Sequence, residues 1–140
     1  MSLLEVKDLA VSFRTEAGRL QVLRSVGLEV DSGETLAVVG ESGSGKSVTA
    51  LSILHLLGEA GQIDSGHIFF DGEDLAGFTD KNMRAIRGNR ISMIFQEPMS
   101  SLNPVIPIGK QVAEPLVLHQ GLSWQEGLRE AESLLRKVAI

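Results

Sequence analysis

The chain has 140 residues, of which 43% are hydrophobic and 22% charged, with a formal net charge of −5. That length and balance suit a soluble globular domain with a real core. There are no cysteines, which excludes disulfides and thiolate metal sites, and no Lys/Arg cluster of the kind a nucleic-acid surface needs, so no nucleic-acid partner is expected.

Leu3 to Phe13 alternates apolar and polar residues and predicts a half-buried strand. Thr15–Arg19 reads as a turn, and Val22–Val30 as a second strand, together an antiparallel hairpin. Asp31-Ser32-Gly33-Glu34 turns into the apolar, β-branched run Thr35-Leu36-Ala37-Val38-Val39, a third predicted strand. Gly40-Glu41-Ser42-Gly43-Ser44-Gly45-Lys46-Ser47 follows, and fits G-x-x-x-x-G-K-[ST]. Val48–Leu57 has no Pro or Gly and predicts a helix. The motif therefore sits between a strand and a helix, the context that its chemistry requires.

That chemistry is phosphate binding. Nucleotide phosphates carry several negative charges. Small residues at Gly40, Gly43 and Gly45 let backbone N–H groups turn inward toward them. The helix starting near Lys46 adds the positive end of its dipole. Lys46 reaches the β- and γ-phosphates as a point charge, and the Ser47 hydroxyl ligates Mg²⁺. Gly40 through Val48 are the candidate nucleotide-binding residues.

Beyond the helix, Gly58–Gly66 reads as a connection and His67–Phe70 as a short strand. Asp71-Gly72 is a turn, with Glu73-Asp74-Leu75 returning as a strand. Asp80–Arg87 predicts a short helix with Asp80 as its N-cap. Ile91-Ser92-Met93-Ile94-Phe95 reads as a strand buried on both faces. Pro98, Pro104 and Pro107 make Gln96–Pro107 a loop. Ile108–His119 predicts a helix disturbed by Pro115. Ser123-Trp124-Gln125-Glu126 is a capping box opening an amphipathic helix with Leu128, Ala131, Leu135 and Val138 on its apolar stripe. The three histidines, His55, His67 and His119, show no ligand spacing. No apolar run reaches the length of a membrane span and no signal peptide opens the chain, so a cytoplasmic location is expected, with any membrane link made through a partner.

This arrangement resembles the ATP-binding subunit of an ABC transporter. The resemblance implies that Phe13 stacks on adenine and that Gln96, in Ile94-Phe95-Gln96-Glu97-Pro98, is the glutamine of the family's Q-loop, which approaches Mg²⁺ and the attacking water. Lys46 and Gln96 would then be the catalytic candidates, and Ser47 and Gln96 the Mg²⁺ ligands. The wording of Gly40–Ser47, and of Phe95-Gln96-Glu97-Pro98-Met99-Ser100-Ser101-Leu102-Asn103-Pro104, is similar to the oligopeptide and dipeptide importer subfamily.

The implied fold is α/β: a P-loop NTPase core of ABC type, incomplete, with an antiparallel β subdomain and the start of a helical subdomain. Residues 1–100 would form the partial ATP-binding core, and 101–140 the Q-loop continuation and first helices. The implied partners are transmembrane permease subunits and a second nucleotide-binding subunit, at the cytoplasmic face of the membrane. The implied solutes are peptides or related compounds.

The family's Leu-Ser-Gly-Gly-Gln signature, its Asp-Glu strand end and its switch histidine have no copy in these 140 residues. The chain therefore reads as an N-terminal portion of such a domain, able to hold ATP but poorly equipped to hydrolyse it. The alternative reading is a nucleotide-binding module without ATPase activity of its own. Apolar strand edges left without neighbours lead us to expect self-association.

Overall fold

A computed structural model describes residues 2–140. The chain forms two compact units, one running through Met83 and the other covering Arg84–Ile140.

The first unit is built on β1 (Leu4–Thr15), β2 (Gly18–Val30), β3 (Gly61–Phe70) and β4 (Glu73–Asp74), with α1 (Lys46–Ile53) between β2 and β3. The sheet order is β2-β1-β3-β4 and every pairing is antiparallel. β1 is central, so its apolar residues have neighbours on both edges. Leu9, Val11, Leu23, Ile68 and Leu75 are almost fully buried, each worth about 1.5–3 kcal/mol of burial. β1 bulges near Asp8, whose φ is 48°, and the register shifts there against both neighbours. Gly66 faces this bulge. A β-carbon on it would lie 2.6 Å from Leu9 Cα, and its φ is 99°, so only glycine fits.

β3 begins six residues earlier than the expected His67, because Gly61–Ser65 pair with Phe13–Ala10 of β1. Two expected strands do not form. Residues 35–39 have no strand neighbour among the described residues, and they are exposed, Val39 at 88%. A β-strand exists through its ladder partner, and apolar character alone does not supply one. The expected return strand at Glu73–Leu75 is shorter: Leu75–Gly77 turn as a 3₁₀ helix capped by Asp74.

In the second unit, residues 92–95 also form no strand. Arg87 and Ile91 make an isolated bridge, and Ile94 is 98% exposed where burial on both faces was expected. α2 (Asp80–Ile86) starts after Thr79, whose hydroxyl accepts from Asn82 N–H at 3.3 Å, so Thr79 caps the helix in place of the expected Asp80. α3 (Ile108–Gln120) and α4 (Trp124–Lys137) pack as a helical hairpin around Ala113, Gly127 and Ala131. Pro115 lies inside α3 without ending it. Gly121 closes α3 at φ 69°, and the Ser123–Glu126 capping box opens α4.

Candidate functional site

Gly40–Ser47 is a tight loop between the 35–39 segment and α1. Two glycines make the turn: Gly43 at φ 81° and Gly45 at φ 95°. Gly45 is the residue before α1, left-handed and with no side-chain cap. The first-turn N–H groups of a helix have no intrahelical acceptors, so this end is suited to an anion. Gly45 is also buried from behind. A β-carbon there would lie 2.5 Å from Leu23 Cδ2, so β2 presses directly on the loop. Thr49 ties the same residue down, its N–H and hydroxyl both donating to Gly45 O at 2.9 and 3.0 Å.

Lys46 folds back over the loop mouth. Its Nζ donates to Gly40 O at 2.6 Å, Glu41 O at 2.7 Å and Ser44 Oγ at 3.3 Å. A β-carbon on Gly40 would stand 2.7 Å from Ser44 Oγ and 3.8 Å from Lys46 Nζ, filling the hollow beneath the ammonium. The cation is thus held at the mouth by two backbone carbonyls, positioned to exchange those acceptors for phosphate oxygens. Ser47 is exposed and Val48 half-buried on the first turn of α1. This donor set fits a nucleotide polyphosphate with Mg²⁺: a cation, N–H groups at a helix start, and a hydroxyl on the adjoining residue.

Phe13 lies in the same unit, half-buried on β1, paired with Leu20 on one side and Gly61 on the other. Gln96 belongs to the second unit and is exposed. The loop after it is structured. Pro98–Ser100 form a 3₁₀ turn, and Ser101 Oγ donates to Glu97 O at 3.0 Å. Gln111 of α3 then accepts from Asn103 N–H and donates to Asn103 O and Ile106 O.

Leu23 and Gln111 therefore shape the two candidate loops, and neither was singled out from the sequence. Leu23 carries no local signal, being one of several apolar residues in a strand. Gln111 looks like an ordinary polar helix residue. Among the described residues there is no cluster of metal-ligating side chains, and no helix is long and apolar enough to cross a membrane.

The family model described as ABC transporter matches residues 23–140. The chain is 49% identical over 139 residues to the oligopeptide transport ATP-binding protein OppD of Bacillus subtilis (strain 168), covering 99% of this chain and 39% of that protein. It is 46% identical over 138 residues to the dipeptide transport ATP-binding protein DppD of Lactococcus lactis subsp. cremoris (strain MG1363), covering 98% and 40%. It thus spans about two fifths of the length of the curated relatives it matches. Among solved structures, the ATP-binding cassette MJ0796, in a dimeric post-hydrolysis state bound to ADP and Pi, superposes with a TM-score of 0.80 at 24% identity. That superposition covers 95% of this chain and 56% of the cassette, and it shows a shared fold.

Proposed function

The chain belongs to the ABC transporter family, and we propose that it is ATP-binding machinery of an importer for peptides or related solutes. The observation that carries this is the Gly40–Ser47 loop, with Lys46 Nζ held over its mouth by Gly40 O and Glu41 O. Two relatives at 46% and 49% identity, a dipeptide and an oligopeptide transport ATP-binding protein, support the importer class.

In this reading Gly43, Gly45 and the first turn of α1 present N–H groups to the phosphates, and Lys46 neutralises the β- and γ-phosphate charge. Phe13 offers a π face to adenine, a contact worth about 1–3 kcal/mol. Ser47 Oγ would hold Mg²⁺, whose charge would stabilise the phosphates when bound. Gln96, on the loop of the second unit, is the residue to which the family resemblance assigns an approach to Mg²⁺ and the attacking water. The proposed partners are permease subunits in the membrane and a second nucleotide-binding subunit, with the chain at the cytoplasmic face.

A second reading is favoured by the composition of the chain itself. These 140 residues contain no Leu-Ser-Gly-Gly-Gln signature and no Asp-Glu strand end, so by themselves they would bind ATP without turning it over.

The test is thermal. ATP with Mg²⁺ should raise the melting temperature of the chain, and Lys46→Ala should abolish the rise. No ATP-dependent shift in the unmodified chain would overturn the binding assignment. Phosphate release above background, lost in Lys46→Ala, would overturn the binding-only reading.

A further inference from the structure

Gly61 opens β3 directly opposite Phe13. Its backbone is fixed on both sides: Arg14 N–H donates to Ala60 O at 2.8 Å, and Gly61 N–H to Gly58 O at 3.3 Å. The space where a side chain would stand is occupied. A β-carbon on Gly61 would lie 2.8 Å from Phe13 Cε1, 2.6 Å from Leu57 Cβ and 2.8 Å from Leu57 O. The φ of Gly61 is not in the left-handed region, so backbone conformation does not require glycine here. What requires it is crowding, from the Phe13 ring on one side and from Leu57 on the other. In a cross-strand pair an aromatic side chain packs over the glycine opposite, and that packing restricts the ring to one position.

We infer that Gly61 is a positioning residue for the nucleoside end of the site: by lacking a side chain it lets the Phe13 ring lie down across β3 in the attitude that meets a purine. The inference rests on the adenine role proposed for Phe13. Leu57 closes the far side with a backbone carbonyl, which cannot yield cheaply. The ring is the more movable of the two neighbours, so it is the one that a methyl group at Gly61 displaces, while the contacts with Leu57 stay crowded. No atom of the phosphate loop is among the three nearest neighbours of that β-carbon position.

The experiment compares ATP with inorganic tripolyphosphate, which has the phosphates and no base. Binding is measured for the unmodified chain, Gly61→Ala, Phe13→Ala and the double variant. Gly77→Ala serves as the control, since nothing lies within 4 Å of its β-carbon position. Gly61→Ala should weaken ATP about tenfold, within the range that base–aromatic stacking accounts for, and leave tripolyphosphate within about twofold. The double variant should bind ATP like Phe13→Ala alone, because removing the ring removes what the methyl displaces.

Equal weakening of ATP and tripolyphosphate by Gly61→Ala would overturn the positioning role. So would an unchanged ATP affinity in Gly61→Ala while Phe13→Ala weakens it. If Phe13→Ala itself leaves ATP affinity unchanged, the adenine reading fails, and the inference with it. Should Gly61→Ala not fold, the double variant decides. Restored folding assigns the clash to the ring and supports the inference; a double variant that also fails to fold assigns it to Leu57 and overturns it.

Discussion

Gln111 grips Asn103 from both sides of its backbone: Oε1 accepts from Asn103 N–H and Nε2 donates to Asn103 O, each at 2.8 Å. The same Nε2 also donates to Ile106 O at 2.6 Å, so one side chain on α3 holds the end of the loop that begins at Gln96. The pattern of donors and acceptors sets the orientation of the amide, since the reverse would face oxygen with oxygen. Gln111→Ala should cost about 1 kcal/mol and speed amide exchange at Asn103. Gln111→Glu should not rescue, because it sets a carboxylate against two carbonyls. Unaltered exchange at Asn103 in Gln111→Ala would show that the loop is held by other means.

The phosphate loop is braced from β2 by Leu23. Gly45→Ala meets two obstacles: a φ of 95°, costing an L-residue about 1–2 kcal/mol, and a β-carbon 2.5 Å from Leu23 Cδ2. ATP-dependent stabilisation should be lost in this variant. Adding Leu23→Ala relieves the clash but not the strained φ, so the double variant should recover part of the binding at most. Full binding in Gly45→Ala alone, measured by calorimetry, would contradict the bracing.

In the α3–α4 hairpin, a β-carbon on Gly127 would stand 3.0 Å from Val117 Cγ2 and 3.4 Å from Ala113 Cβ. Gly127→Ala gains about 1 kcal/mol of helix propensity, which offsets the crowding and leaves stability nearly unchanged. Gly127→Val adds branches that the gap cannot hold, and should destabilise by about 1–3 kcal/mol. Denaturant melts of the two variants check the contrast.

Asp74 gives the first unit an acid-sensitive joint. Burial tends to raise its pKa, but hydrogen bonds from His67 Nδ1, Ala76 N–H and Ile68 N–H outweigh burial and hold it below 3.8. A carboxylate with a depressed folded-state pKa contributes stability above its unfolded value, and that stability is lost as pH falls through the folded value. The loss should therefore appear below pH 3.8. Asp74→Ala should lower stability by about 1–3 kcal/mol near neutrality and flatten the acid limb of the stability curve. An acid limb unchanged in Asp74→Ala would assign the sensitivity to other groups.

Exposed apolar residues mark each unit: Val38 and Val39 before the phosphate loop in the first, Ile94 and Phe95 before Gln96 in the second. The isolated chain should associate at micromolar concentration and bind a hydrophobic dye. A monodisperse sample that binds no such dye would refute this.

The local pattern determined the features whose physics is local. Glycines spaced around Gly40–Ser47 dictate a tight loop, because only they adopt φ values of 81° and 95° without penalty. Ser123 and Glu126 dictate a helix start, because their reciprocal hydrogen bonds span three residues. The wording of the loop and of Phe95–Pro104 carried the family resemblance, and the fold class with it. The tertiary structure decided what depends on partners distant in the chain. Residues 35–39 and 92–95 have strand composition but no ladder neighbour among the described residues, while Gly61–Ser65 look like a connection and pair with β1. Leu23 against Gly45, and Gln111 against Asn103, are contacts between elements, set by register and helix packing. Backbone angles are encoded residue by residue, whereas a strand partner or a packing neighbour exists only once the chain has brought remote segments together.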